Sequence, residues 1–132
     1  MNRVTARTHA MKLIYEWEMG GEGGEDTRID LLGVQPGEAE SAFMERMFGG
    51  VVENIAEIDR RIEENASGWT LERISKVDLA FLRLAAYELS LGKTPEAVVI
   101  NEAVEMARQY SGERSPQFIH GVLGGISRSA AQ

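Results

Sequence analysis

Side chains able to do chemistry are scattered along this chain of 132 residues, and none falls into a recognised catalytic arrangement. The two histidines, His9 and His120, lie far apart, and neither sits in a ligand or catalytic motif. No serine stands in a GxSxG elbow. Carboxylates are plentiful, but no general acid and base pair can be chosen from helix surfaces without geometry. Asn101–Glu102 has the makings of an amide–acid pair or of metal ligands. No histidine or second acid stands at ligand spacing from it, so capping and local hydrogen bonding is the reading. The absence of cysteine excludes disulfides, thiolate zinc sites and cysteine nucleophiles. The glycine-rich GGEGGED at 20–26 lacks both GxGxxG and a P-loop lysine, and its acids would repel phosphate, so it reads as a linker. These residues point away from an enzyme and call for no cofactor.

A different chemistry is offered by Arg3, Arg7 and Lys12. They line one edge of an amphipathic helix over 3–19, whose apolar stripe is Val4, Ala10 or Met11, Ile14 and Trp17. Cations at a helix start oppose the macrodipole, a modest cost with no stabilising return. They read either as a solvated face or as phosphate contacts.

The formal net charge is −7, and its distribution matters more than its sum. Residues 1–19 balance at +1, residues 20–66 at −8, and residues 67–132 hold seven charges of each sign. The acidity therefore sits in one segment and leaves a nucleic-acid face possible elsewhere, although composition alone votes against one. The length suits one domain, 1–132, with a real core. No apolar run approaches the roughly 20 residues of a membrane span, and the first residues do not read as a secretion signal. A cytoplasmic protein is the expectation.

The elements that must position these groups are helical. Residues 69–91, WTLERISKVDLAFLRLAAYELSL, carry the strongest helical apolar pattern, and from Val77 onward it is apolar on more than one face. Such a helix is central, with Arg83 and Glu88 requiring partners or the rim. Ser75 followed by Asp78 is a capping-box variant that also suits the dipole. Thr70 reads as an N-cap, with Trp69 stapling against Ile74. Upstream, residues 27–34 read as a short helical turn. Residues 38–65 form a long stripe of Phe43, Met44, Met47, Val51, Ile55, Ile58 and Ile62, with close packing or a kink at Gly49–Gly50. Arg60–Arg61 reads as a paired surface. Gly92 ends the central helix, and Thr94–Pro95 and Ser115–Pro116 open two more helices. The last has Phe118, Ile119, Val122, Leu123 and Ile126 on its inner face. No strand pattern of useful length appears, and the fold is all-α, about six or seven helices by this periodicity.

Three stretches carry a family resemblance: ARTHAMKLIYEWE, then WTLERISKVDLAFLRLAAYELS, then PEAVVINEAVEMARQYSGERSPQFIHGVL. Together they span nearly the whole chain, which resembles the NusB family of bacterial transcription antitermination proteins. The resemblance implies two three-helix sub-bundles, no catalysis and no cofactor. It implies binding of the boxA element of nascent ribosomal RNA as a heterodimer with NusE, a small-subunit ribosomal protein. It further implies assembly with other Nus factors on RNA polymerase.

Matched position by position, Arg3, Arg7 and Lys12 correspond to the family's arginine-rich start and would contact phosphate. Tyr15 matches a tyrosine near the seam of NusE and RNA, and Asp78 an acid on the NusE face. Phe118 matches an aromatic near RNA, where it would stack on an unpaired base, with Arg114 just before that helix. Structural readings stand beside these: Phe118 in the core, Asp78 as a cap only, Tyr15 packed beside Trp17. The chain departs from the family in having Val4 and Thr5 where more cations often stand, and His120 where asparagine is usual. Both departures bear on the strength of RNA binding and not on the fold. Two other functions fit the sequence: a helical adaptor, as a homodimer or with its acidic 20–66 face on a basic protein, and a detached accessory domain of an RNA cytosine methyltransferase.

Overall fold

Over the described residues the helical periodicity resolves into six α-helices and no strand. The computed structural model describes residues 2–21 and 39–130. The helices are α1 (Arg3–Glu18), α2 (Ala39–Glu53), α3 (Ile55–Glu64), α4 (Lys76–Leu91), α5 (Glu96–Tyr110) and α6 (Ser115–Ala130), with a 3-10 turn at Leu71–Arg73 before α4. The expected helical turn at 27–34 lies outside the described residues, as does most of the 20–26 linker.

Helix α4 is the hub. It packs against α1, α2, α3, α5 and α6, while α5 and α6 pack on each other. Its residues from Leu79 to Ala86 are all buried, the consequence of an apolar pattern that leaves no face for water. Helices α4–α6 form one three-helix group and α1–α3 the other, with α3 leaning on α4 and α6 more than on α2. Ser75 caps α4 as expected: its hydroxyl accepts the Asp78 backbone N–H at 3.2 Å. Gly92 ends α4 in the left-handed conformation, φ +67°, which needs no Cβ to be accommodated.

Two buried ion pairs fasten α1 to α4. Arg7 donates to both carboxylate oxygens of Glu88, at 2.9 and 2.7 Å. Near the other end of α1, Arg83 donates to Asp59 of α3 at 2.9 and 3.0 Å and meets Glu18 at 3.2 Å. Burial disfavours the Arg83 charge, yet Asp59 and Glu18 outweigh it and raise its pKa. Charges this deep persist only when paired, and these are.

Three expectations are revised. The long 38–65 helix breaks at Asn54, not at Gly49–Gly50, and the Asn54 amide turns back to donate to the Gly50 carbonyl at 2.8 Å. Gly50 serves the close packing expected of it: the Tyr87 ring of α4 lies where its Cβ would stand. The inner face of α1 is Ala6, Ala10, Met11, Leu13 and Ile14, with Arg7 among them, and Val4 is exposed. The Thr70 side chain makes no capping bond, and the Trp69 ring, which lines one cleft with Ile74, pairs with that of Phe118. Arg60 and Arg61 do form the expected paired surface, with Glu57 and Glu64.

Candidate nucleic-acid interface

The short 3-10 turn, the first turn of α4 and the α5–α6 junction enclose a cleft of about 430 Å³. Its lining includes Trp69, Arg73, Asp78, Arg114, Ser115 and Phe118. Three residues singled out in the sequence, Asp78, Arg114 and Phe118, are thus brought together by helices that are distant along the chain. The junction is held by Asp78. Its carboxylate accepts from Ser111 Oγ at 2.6 Å and from Ser115 Oγ at 2.9 Å, and the two hydroxyls lie 2.8 Å apart. That clasp fixes the 111–115 turn and with it Arg114. Asp78 is therefore a buried structural acid, its carboxylate committed to the two serines.

Phe118 meets its core reading in part. It is half-buried against the core, while its ring lies 6.0 Å from that of Trp69 at an interplanar angle of 59°. Trp69 is 49% exposed, high for a residue that normally hides most of its surface. Arg73 and Arg114 are exposed and pair with no acid among the described residues. Flat aromatic faces beside unpaired guanidinium groups can stack a base and hold its phosphate.

The strip continues onto α1. Lys12 is exposed, with its ammonium 5.6 Å from the centroid of the Tyr110 ring, and Tyr110 is itself exposed at the end of α5. Tyr110 adjoins Ser111, the residue bonded to Asp78, so Lys12 and the cleft share one side of the junction. Tyr15, three residues beyond Lys12 and so one turn along, is half-buried against the core at the same edge. Glu72 and Glu113 flank the two arginines, which keeps the positive field local and explains why composition gave no basic footprint.

Arg3 and Arg7 do not join this strip. Arg3 pairs with Glu40, at 2.5 and 3.3 Å, and lies 3.9 Å over the Phe43 ring. That hydrogen bond holds the Glu40 carboxyl below its usual range. Arg7 is 5% exposed and committed to Glu88, whose hydrogen bond outweighs burial and raises the arginine's pKa further. The expected phosphate role of Arg7 is corrected: its guanidinium is a core tie. The cost of cations at a helix start is met here by a specific buried acid. Sequence reasoning missed Trp69, Arg73 and Tyr110, whose signal was an aromatic–cation alternation around the segment ends. Among the described residues no cluster of histidine and acids suits a metal ion, and no helix is long and apolar enough to cross a membrane.

Comparison with known proteins agrees with this architecture. The NusB family model matches residues 4–128. The transcription antitermination protein NusB of Clostridium botulinum (strain Kyoto / Type A2) is 39% identical, over 94% of this chain and 98% of its own. The solved structure of T. maritima NusB superposes with a TM-score of 0.85 at 29% identity, covering 97% of this chain and 92% of that one. A crystal structure of antitermination factors NusB and NusE in complex with dsRNA gives a TM-score of 0.84 at 27% identity, covering 96% of each chain. By the extent of these matches the chain belongs to the NusB family.

Proposed function

We propose that this chain is a transcription antitermination factor that binds boxA-type RNA of nascent ribosomal transcripts together with NusE. In this reading the pair then joins the RNA polymerase elongation complex with other Nus factors and acts by binding alone, without catalysis, in the cytoplasm. The observation that carries it is the Trp69–Phe118 ring pair lining one cleft with Arg73 and Arg114. Stacking on such rings contributes about 1–3 kcal/mol per base. The cations supply affinity that does not depend on sequence. NusE would dock beside the strip near Tyr15, where a basic ribosomal protein is drawn to a chain of charge −7.

Titration of labelled boxA RNA, with and without NusE, tests the reading. Lys12, Arg73 and Arg114 together give an expected slope of log K against log salt of about −2 from this chain. Arg114→Glu lowers affinity and flattens that slope by about one. A stable NusE complex with no RNA binding in either protein would leave a helical adaptor instead. A self-associating chain whose RNA binding appears only on dilution would mark a homodimer that covers the strip.

A further inference from the structure

The ring pair that carries the proposed function has a second side. Beyond Trp69 and Phe118, away from the arginines, lies a smaller pocket of about 220 Å³, whose walls include Ser67, Gln117, Gly121 and Val122. Trp69 and Phe118 line both this pocket and the cleft, so the two rings form the partition between them. The rings are tilted at 59° to one another rather than stacked face to face.

Three features make the smaller pocket fit a nucleobase. Its lining is open at the exposed Gly121, where a Cβ would meet nothing within 4 Å. Its rim carries the Gln117 amide and the Ser67 hydroxyl, neither of which bonds to a described residue, so an acceptor and donors stay available to a base edge. The turn that raises Trp69 is held in a sparsely populated conformation, Ser67 at φ +48° and Gly68 at φ +87°. Left-handed backbone at a residue other than glycine is uncommon and gathers at binding turns.

We propose that Trp69 and Phe118 act as a wedge between two consecutive unpaired bases of the RNA. One base lies in the cleft and its neighbour in the smaller pocket, where Gln117 reads its edge. The inference rests on the RNA-binding reading above. It adds a base-discriminating subsite on α6 and on the Ser67–Gly68 turn. The arginines on the cleft side hold the phosphate between the two bases.

Gly121→Leu tests it, because it sets a bulky side chain in the pocket's lining where no neighbour has to be displaced. Leucine also favours the helix over glycine, so the fold is retained. In the complex with NusE, the wedge predicts about tenfold weaker binding of boxA RNA by Gly121→Leu, with thermal stability equal to or above wild type. It predicts that an abasic nucleotide at one position of the RNA weakens the wild-type complex and leaves Gly121→Leu unaffected. Gln117→Ala should narrow the preference among bases at that same position without changing the salt slope. If Gly121→Leu and Trp69→Ala bind as wild type while Arg73→Glu and Arg114→Glu lose affinity, the RNA uses the cleft alone and the wedge is overturned. If none of these proteins binds RNA with NusE present, the underlying reading fails first.

Discussion

Replacing Arg7 by alanine should damage folding and spare RNA recognition, the reverse of what its place in a basic helix edge suggests. The Arg7 and Glu88 side chains are 6% and 4% exposed and joined by two charge-assisted hydrogen bonds, at 2.9 and 2.7 Å. Removing one partner strands the other as an uncompensated buried charge, at a cost of about 3–5 kcal/mol. Unfolding entropies for chains of this size convert that into a fall in Tm on the order of 10–20 °C. Chemical denaturation of wild type, Arg7→Ala, Glu88→Gln and the double variant Arg7→Met/Glu88→Leu would measure it. Both single variants should lose most of that stability, and the apolar double variant should recover much of it. Under conditions where Arg7→Ala is fully folded, its RNA affinity and salt slope should match wild type. An Arg7→Ala protein within about 1 kcal/mol of wild type that loses one unit of salt slope would refute the reasoning and return Arg7 to the phosphate-binding surface.

Other perturbations follow from the same packing. Gly50→Ala forces the Tyr87 ring from its place, and overpacking of about 1–3 kcal/mol should exceed the gain of about 1 kcal/mol in helix propensity; a thermal melt against Gly49→Ala, whose Cβ meets open space, separates the two terms. Asp78→Ala leaves the Ser111 and Ser115 hydroxyls without their acceptor, with an expected loss of about 1–3 kcal/mol in urea unfolding and a looser Arg114 seen as weaker RNA binding. Glu18 is disfavoured as a charge by burial, but Lys76 and Arg83 overcome this and lower its pKa. A lowered folded-state pKa adds stability that is complete above the ordinary glutamate range and is lost as pH falls through the lowered value. The stability gap between wild type and Glu18→Gln should therefore close on acidification below about pH 4.5, the unshifted glutamate value, as followed by denaturation across pH.

The parts of this molecule legible in its sequence are those set by periodicity. The central helix could be read because Leu79, Phe81, Leu82, Leu84, Ala85 and Ala86 leave no polar face, and its two ends because Ser75 and Gly92 are strong punctuation. The break at Asn54 was harder to see, since the apolar stripe runs through it without a change of phase and two glycines nearby offered a more obvious kink. Burial of charge was the larger obstacle. Arg3 and Arg7 look alike four residues apart, and only the position of Glu88, 81 residues from Arg7, decides that one is a core tie. Asp78 was visible as a cap, but its bonds to two serines more than 30 residues away depend on how α5 turns into α6. Trp69 escaped for a related reason: an aromatic before a helix satisfies a local staple on paper, and its true neighbour, Phe118, arrives from the far end of the chain.

The proposed RNA path runs along the strip from Lys12 through Tyr110 to the cleft at Trp69, Arg73, Arg114 and Phe118. Photo-cross-linking of thiouridine-substituted boxA RNA in the complex with NusE, followed by mass spectrometry of the linked peptides, tests it most directly. Cross-links are expected on residues 69–73 and 110–118. Cross-links confined to Arg3 and the start of α2, or to the paired arginines of α3, would contradict it.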